Sequence, residues 1–291
     1  MTISESQLQI WSNQGATKSS QQTHNSIRNA LSRYQWPSNV TYNAYLQGSY
    51  RNSTNIRADS DVDIVIELTS VFYSNLTDAE KNQLGIIPAT YDWFAFRQNV
   101  ITALCNYYGS QYVDTSGSKS IKLLPNSGRI RADVVVAVTY KHYEAMRLVA
   151  EGMTFWTVPR GQQICNYPKQ HYDNGASKNS DQQTRGWYKP TVRVFKNARS
   201  LIATGFLFPK HFPSYFIECL LYNIPPSRFR VSFQSTFTNS LNWLNTELNN
   251  DNWQRFVCQN EMSYLFGNSI VQWNIDDARD YVAKLIYLWN A

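Results

Sequence analysis

The 291 residues, 43% of them hydrophobic, suffice for one large domain or two lobes with real apolar cores. The formal net charge of +6 suits an anionic ligand, but without long Lys/Arg runs it is thin for a protein whose main task is gripping duplex DNA. Cys105, Cys165, Cys219 and Cys258 form no Cys-x-x-Cys pair and meet no histidine at zinc spacing, the start MTISESQLQIWSNQ lacks a signal peptide's basic and apolar regions, and no apolar run of about eighteen residues exists, so a reduced, soluble, cytoplasmic protein is expected.

In chain order, residues 4–34 are predicted as one helix on the partial stripe of Leu8, Trp11, Ile27, Leu31 and Tyr34, ended by Pro37. Residues 40–47 form a strand delivering the chain to Gly48, and a second strand follows at 62–68. Residues 69–90 read as a loop with a short helix, leaving at Pro88. Residues 91–108 have helical spacing that covers one sheet face, with Gly109 as the stop. Residues 119–124 and 129–138 pair as a hairpin across Pro125-Asn126-Ser127-Gly128. An irregular strand pair covers 152–166, then a polar loop, or a short helix followed by one, covers 167–179. A helix over 181–203 is opened by Ser180 and Gln183 as a capping box and kinked at Pro190, with Gly186 easing the clash. Another helix starts near Pro213, and 227–291 is mainly helical on Leu241, Leu244, Leu248 and on Tyr281, Leu285, Leu288. The expected division is a core lobe over 1–160, including the long N-terminal helix, and a mainly helical lobe over 161–291, continuous with each other.

The chemistry concentrates in residues 47–68, QGSYRNSTNIRADSDVDIVIEL. Alternate strand residues share a face, so Asp61, Asp63, Val65 and Glu67 stand opposite Val62, Ile64, Ile66 and Leu68. Two carboxylates about 6–7 Å apart on one strand suit a pair of divalent cations. The strand RIRADVVVAV carries one acid, Asp133, among valines, where it costs free energy unless paired or metal-bound. Gly48 lets backbone approach a phosphate, and Ser49 adds a hydroxyl. Gly-Ser, then Asp-x-Asp, then a third Asp on a neighbouring strand reads as a nucleotidyl-transfer centre, because two magnesium ions can clamp the entering and leaving oxygens.

A second constellation is basic. Arg185, Lys189, Arg193, Lys196 and Arg199 fall within about 120° of one helix face. With no acid on that face they repel one another unless an anion comes between them. A third is Ser214-Tyr215 in FPSYFIECLLY, by itself a capping serine and a core tyrosine. Asn166 offers an amide able to pair with a base edge, while His171 and Asn174 read as loop-structural.

These segments carry a resemblance. Residues 47–68 resemble the polymerase-beta-like nucleotidyltransferase superfamily. YPKQHYDNGASKN at 167–179, YKPTVRVFKNAR at 188–199 and FPSYFIECLLYNIP at 212–225 extend it over nearly the whole chain. There the chain resembles the cGAS/DncV-like nucleotidyltransferases, the bacterial cyclic-oligonucleotide synthases of CBASS anti-phage signalling. The resemblance implies an α+β fold: a polymerase-beta-like core, a mixed sheet with flanking helices, plus a mainly helical C-terminal lobe, bilobal with a central cleft.

It also implies a synthase joining two nucleoside triphosphates (ATP, UTP or GTP) into a cyclic dinucleotide, with two Mg²⁺ ions for which Mn²⁺ can substitute. Asp61 and Asp63 would hold both metals, and Asp133 the catalytic one while helping to deprotonate the acceptor hydroxyl. Gly48 and Ser49 would cradle the donor phosphates, with Lys196 and Ser214 closing over them and Arg193 and Lys189 as weaker candidates. Tyr215 would stack on the donor base, and an Asn at 166 goes with use of a pyrimidine. A monomer is expected, with no dedicated nucleic-acid site and no membrane partner. A cyclic-nucleotide-activated effector would be reached through the product alone. The animal relative's zinc insertion has no counterpart here. Two rivals stay open: a linear oligonucleotide synthase or other nucleotide transferase, and a catalytically silent nucleotide-binding protein. The presence of all three carboxylates argues against the last.

Overall fold

The computed structural model describes residues 3–56, 61–126, 128–204, 212–229, 232–269 and 271–291, so Ser127 of the expected hairpin turn lies outside the described residues. The elements are α1 (Glu5–Ser12), α2 (Lys18–Ser32), β1 (Tyr42–Leu46), α3 (Gly48–Asn52), β2 (Val62–Ser74), α4 (Asp78–Gln83) and α5 (Trp93–Tyr108). Then come β3 (Val113–Asp114), β4 (Ile121–Leu123), β5 (Ala132–Glu144), β6 (Arg147–Trp156) and β7 (Gln163–Asn166). The chain continues through α6 (Pro168–Lys178), α7 (Tyr188–Thr204), α8 (Ser214–Tyr222), α9 (Phe233–Asn249) and α10 (Ile275–Asn290). Among the described residues no helix is long and apolar enough to cross a membrane.

Residues 16–50 and 58–168 form one compact unit, and residues 1–15, 51–57 and 169–291 the other. The first is built on a mixed sheet of seven described strands, in the order β1-β2-β5-β4-β3 with β6 and β7 continuing from β5. Strand β5 is the organiser. It runs parallel to β2 along one edge, and along the other it pairs antiparallel with β4 through its first half and β6 through its second. Val62, Ile64, Ile66 and Leu68 of β2 and Val134, Val136 and Val138 of β5 are buried, as their alternation requires. Ile27 and Leu31 of α2 and Phe96, Val100 and Leu104 of α5 complete this core. Gly109 stops α5 at φ +89, with its N–H donating to the carbonyl of Cys105.

The second unit is helical. Leu8 of α1, Val192 and Phe195 of α7, Phe216 and Leu220 of α8, Leu244 of α9 and Tyr281 of α10 share its core. Residues 1–15 and 51–57 belong here rather than with the sheet: α1 buries Leu8 in this cluster, and Asn52 and Thr54 donate to Glu218 of α8.

Three sequence expectations are corrected. The N-terminal helix is two helices. Asn13 is extended at ψ 141, and the backbone of Gly15 exchanges hydrogen bonds with Asn55, donating to its carbonyl and accepting from its side-chain amide. Residues 69–74 are strand, not loop: after a register shift, Phe72, Tyr73 and Ser74 pair with Thr139, Tyr140 and Lys141. The helix expected from 181 starts at Tyr188. Residues 181–186 are turns in which the carbonyl of Ser180, not its hydroxyl, accepts from Thr184 and Arg185, with Arg185 and Gly186 at positive φ. Pro190 therefore falls in the first turn of α7, where a missing N–H costs little, and it has no intrahelical bond to break.

Candidate active site

In the sheet unit the parallel register of β2 and β5 places Asp63 directly opposite Asp133. Adjacent strands lie about 4.8 Å apart and registered partners share a face, so the two half-buried carboxylates stand side by side. Asp133 Oδ1 accepts from Ser120 Oγ at 3.3 Å, a contact supplied by the residue just before β4. The sequence reading missed Ser120; its one signal was a serine entering the strand that pairs with Asp133.

Asp61 sits differently from the expectation. Strand β2 starts at Val62, whose N–H donates to the carbonyl of Arg131, so Asp61 lies exposed just ahead of the strand rather than on it. Among the described residues no three His, Cys, Asp or Glu side chains are gathered at metal-ligating distance. The preformed element is the Asp63–Asp133 pair.

Gly48 abuts that pair. The N–H of Gln47 donates to the carbonyl of Asp63 at 2.8 Å, and Gly48 then turns at φ +66 into α3. A Cβ at this position would lie 2.3 Å from Asp63 Oδ2. The backbone conformation demands glycine here, and a side chain would push the Asp63 carboxylate aside. The donors are hard carboxylate oxygens beside a bare Cα, which fits a hydrated divalent cation such as magnesium. Asn166 ends β7, half-buried, opposite Met153 of β6. Its carbonyl lies close over Gly152, where a Cβ would come within 2.5 Å of it.

In the helical unit three cations on the basic face of α7 are engaged by neighbouring oxygens. Lys196 is 1% exposed; its ammonium donates to Glu218 Oε1 and to the carbonyl and hydroxyl oxygens of Thr54. Arg193 is buried and donates to the carbonyls of Ser12 and Ser53. Arg199 donates to the carbonyl of Phe212 at 2.8 Å and to Ser214 Oγ at 3.3 Å. Arg185 precedes the helix. The counter-charge lies on α8, where Glu218 accepts from Lys196, Thr54, His171 and Asn52. Burial alone would raise the pKa of Glu218, but Lys196 and His171 outweigh it and hold the carboxyl well below its ordinary value. Burial lowers the pKa of Lys196, and Glu218 opposes that pull. A lone acid in the apolar run FIECLL was the available signal for this hub.

Arg51 and Lys189 lie over the ring of Tyr172, 5.1 and 5.4 Å from its centroid. Burial lowers the pKa of Lys189. Tyr215 is 42% exposed, and its ring stacks on that of His171 at 5.2 Å. Asn174, expected in a loop, lies on α6 and donates its side-chain amide to the carbonyl of Gln259.

Comparison with known proteins covers the whole chain. Residues 173–290 match the model of the cGAS/DncV-like nucleotidyltransferase C-terminal helical domain. The cyclic UMP-AMP synthase of Rhodothermus marinus is 45% identical over 294 residues, covering 100% of this chain and 99% of that protein. The cyclic nucleotide synthase CdnE01 of Staphylococcus haemolyticus is 38% identical, covering 100% and 99%. The solved structure of Rhodothermus marinus CdnE c-UMP-AMP synthase with Apcpp and Upnpp superposes with a TM-score of 0.92 over 99% of this chain and 97% of that one.

Proposed function

The chain belongs to the cGAS/DncV-like nucleotidyltransferases, and from that premise we propose that it joins two nucleoside triphosphates, one of them a pyrimidine nucleotide, into a cyclic dinucleotide. The observation that carries this reading is the registered pair Asp63–Asp133 with Gly48 bare beside it. Divalent cations, Mg²⁺ with Mn²⁺ able to substitute, would supply charge neutralisation at the entering and leaving oxygens. Asp63 and Asp133 are the residues to hold them, with Asp61 joining from its exposed position ahead of β2. Asp133, oriented by Ser120, helps take the proton of the acceptor hydroxyl. Gly48 and Ser49 receive donor phosphate, since glycine admits close approach of backbone.

In the helical unit Tyr215 offers a ring to a base, and Ser214, whose Oγ accepts from Arg199, offers a hydroxyl to phosphate. Lys196 is committed to Glu218 and Thr54, so the phosphate role that resemblance implied for it passes to Lys189, with Arg51 beside the same ring. Asn166 reads the base through its amide. The product then acts as a second messenger for an effector in anti-phage defence.

Incubation of purified protein with mixed labelled triphosphates and Mg²⁺ or Mn²⁺ is the direct test. The expected product resists phosphatase, because a ring has no terminal phosphate. A phosphatase-sensitive product would mean a linear synthase, and no metal-dependent consumption of triphosphate would leave only a nucleotide-binding protein. Asn166→Ser is expected to shift base preference, and an unchanged product profile removes Asn166 from base reading.

Gly48→Ala is expected to lower turnover by about 100-fold or more, because its Cβ would displace Asp63 Oδ2 and its φ is positive. The backbone penalty is about 1–2 kcal/mol, so the melting temperature should fall by only several degrees. Near-wild-type turnover in this variant would show that Asp63 does not need its present position.

A further inference from the structure

Tyr215 does not stand alone. One face of its ring lies on the imidazole of His171, with centroids 5.2 Å apart and planes 24° from parallel, while 42% of the tyrosine stays exposed. His171 is 6% exposed, and its Nε2 lies 3.0 Å from Glu218 Oε2. A carboxylate only accepts, so Nε2 carries the proton and donates. Tyr215 and Glu218 are three residues apart on α8 and therefore neighbours on one helix face. The imidazole thus meets that face twice, by its edge at the carboxylate and by its plane under the phenol.

Glu218 cannot drift, since it also accepts from Thr54 Oγ1 at 2.7 Å, from Asn52 Nδ2 at 3.3 Å and from Lys196. The backbone of His171 is pinned as well, its carbonyl accepting from Gln259 Nε2 at 2.7 Å.

The other ring nitrogen, His171 Nδ1, is buried without a hydrogen-bond partner among the described residues. An orphaned buried nitrogen is costly. A phenylalanine would stack on Tyr215 equally well and leave no orphan. What histidine adds is the Nε2–H that fixes the ring's plane against Glu218. We propose that Glu218 and His171 form a buried positioning pair that sets the Tyr215 ring for stacking on a nucleobase. This rests on the triphosphate-joining reading above and names two residues that act through Tyr215 without touching the nucleotide.

The test is equilibrium binding of ATP and of UTP, each with Mg²⁺, to the full chain by titration calorimetry, with melting temperatures recorded in parallel. Tyr215→Ala is expected to weaken binding about tenfold, the usual worth of one stacked base. His171→Ala should weaken it about fivefold. His171→Phe keeps the packed ring but loses the tether, and should weaken it about threefold. In the Tyr215→Ala background both histidine substitutions should cost nothing further, because the path to the base is already gone.

Wild-type affinity in both histidine variants would overturn the proposal. So would a loss that persists in full in the Tyr215→Ala background, which a general structural role would produce. If His171→Ala melts below the assay temperature, His171→Phe alone decides. Cyclic product is scored separately. A wild type that binds triphosphate but closes no ring removes the synthase reading and leaves this test standing. Unchanged binding by the histidine variants of an active wild type removes only the positioning pair. A wild type that binds neither nucleotide removes both.

Discussion

Asp63→Asn and Asp133→Asn, made separately, are expected to lower product formation at least about 1,000-fold, roughly 4 kcal/mol of barrier, while melting no lower than wild type. The two carboxylates face each other across the β2–β5 ladder, so each is a like-charged neighbour of the other. Without a cation between them they repel, and neutralising either one relieves that repulsion. Asparagine keeps the shape of the side chain, so the strand pairing is undisturbed. Activity and stability should therefore move in opposite directions, as happens where a site is built for chemistry rather than for folding. Turnover measured by triphosphate consumption, beside a thermal melt of each variant, checks both halves. A variant that keeps a tenth of wild-type turnover would remove its residue from the reaction. A melting temperature lowered by ten degrees would recast the pair as structural.

The largest stability effect is expected from Glu218→Ala. Glu218 is 3% exposed and is the anionic partner of Lys196, which is itself almost fully enclosed. Removing the carboxylate leaves a buried ammonium whose other partners among the described residues are the oxygens of Thr54, and orphans donors on His171, Asn52 and Thr54. Breaking a buried pair from one side costs about 3–5 kcal/mol. For a chain of this size that is a fall in melting temperature of roughly 10 °C. Lys196→Met added to Glu218→Ala should recover part of the loss, because no uncompensated charge then remains. A double variant no more stable than the single one would contradict this account of the pair.

Acid should act on the same group. The folded pKa of Glu218 lies below its unfolded value near 4.5, so its contribution is whole above that pH and is lost as pH falls toward the folded value. Wild type should therefore lose stability below pH 4.5 more steeply than Glu218→Ala does. Parallel curves would show that Glu218 is not held ionised by its partners.

These two predictions differ in how far the sequence reached them. The alternation in DVDIVIEL and the single acid in RIRADVVVAV were legible, because strand periodicity is a local property. The hairpin that brings β4 onto β5 was legible from its turn residues, and Gly48 from its place before the acids. The partners of Lys196 and Arg193 were not legible, because one helix read alone shows charges without what they meet. Those partners are Glu218, 22 residues from Lys196, and the carbonyl of Ser12, 181 residues from Arg193. The break at Gly15 was hidden for the same reason, since Asn55 holds it from 40 residues away.

What the chain determined by itself was which residues alternate, where glycine must turn, and which acids stand in apolar strands. Only the tertiary structure decided that Asp63 falls opposite Asp133, that Asp61 stays outside the strand, and that Lys196 is spent on Glu218. Periodicity and turn chemistry act over a few residues, whereas strand register and charge pairing are set by groups that meet only once the chain has folded.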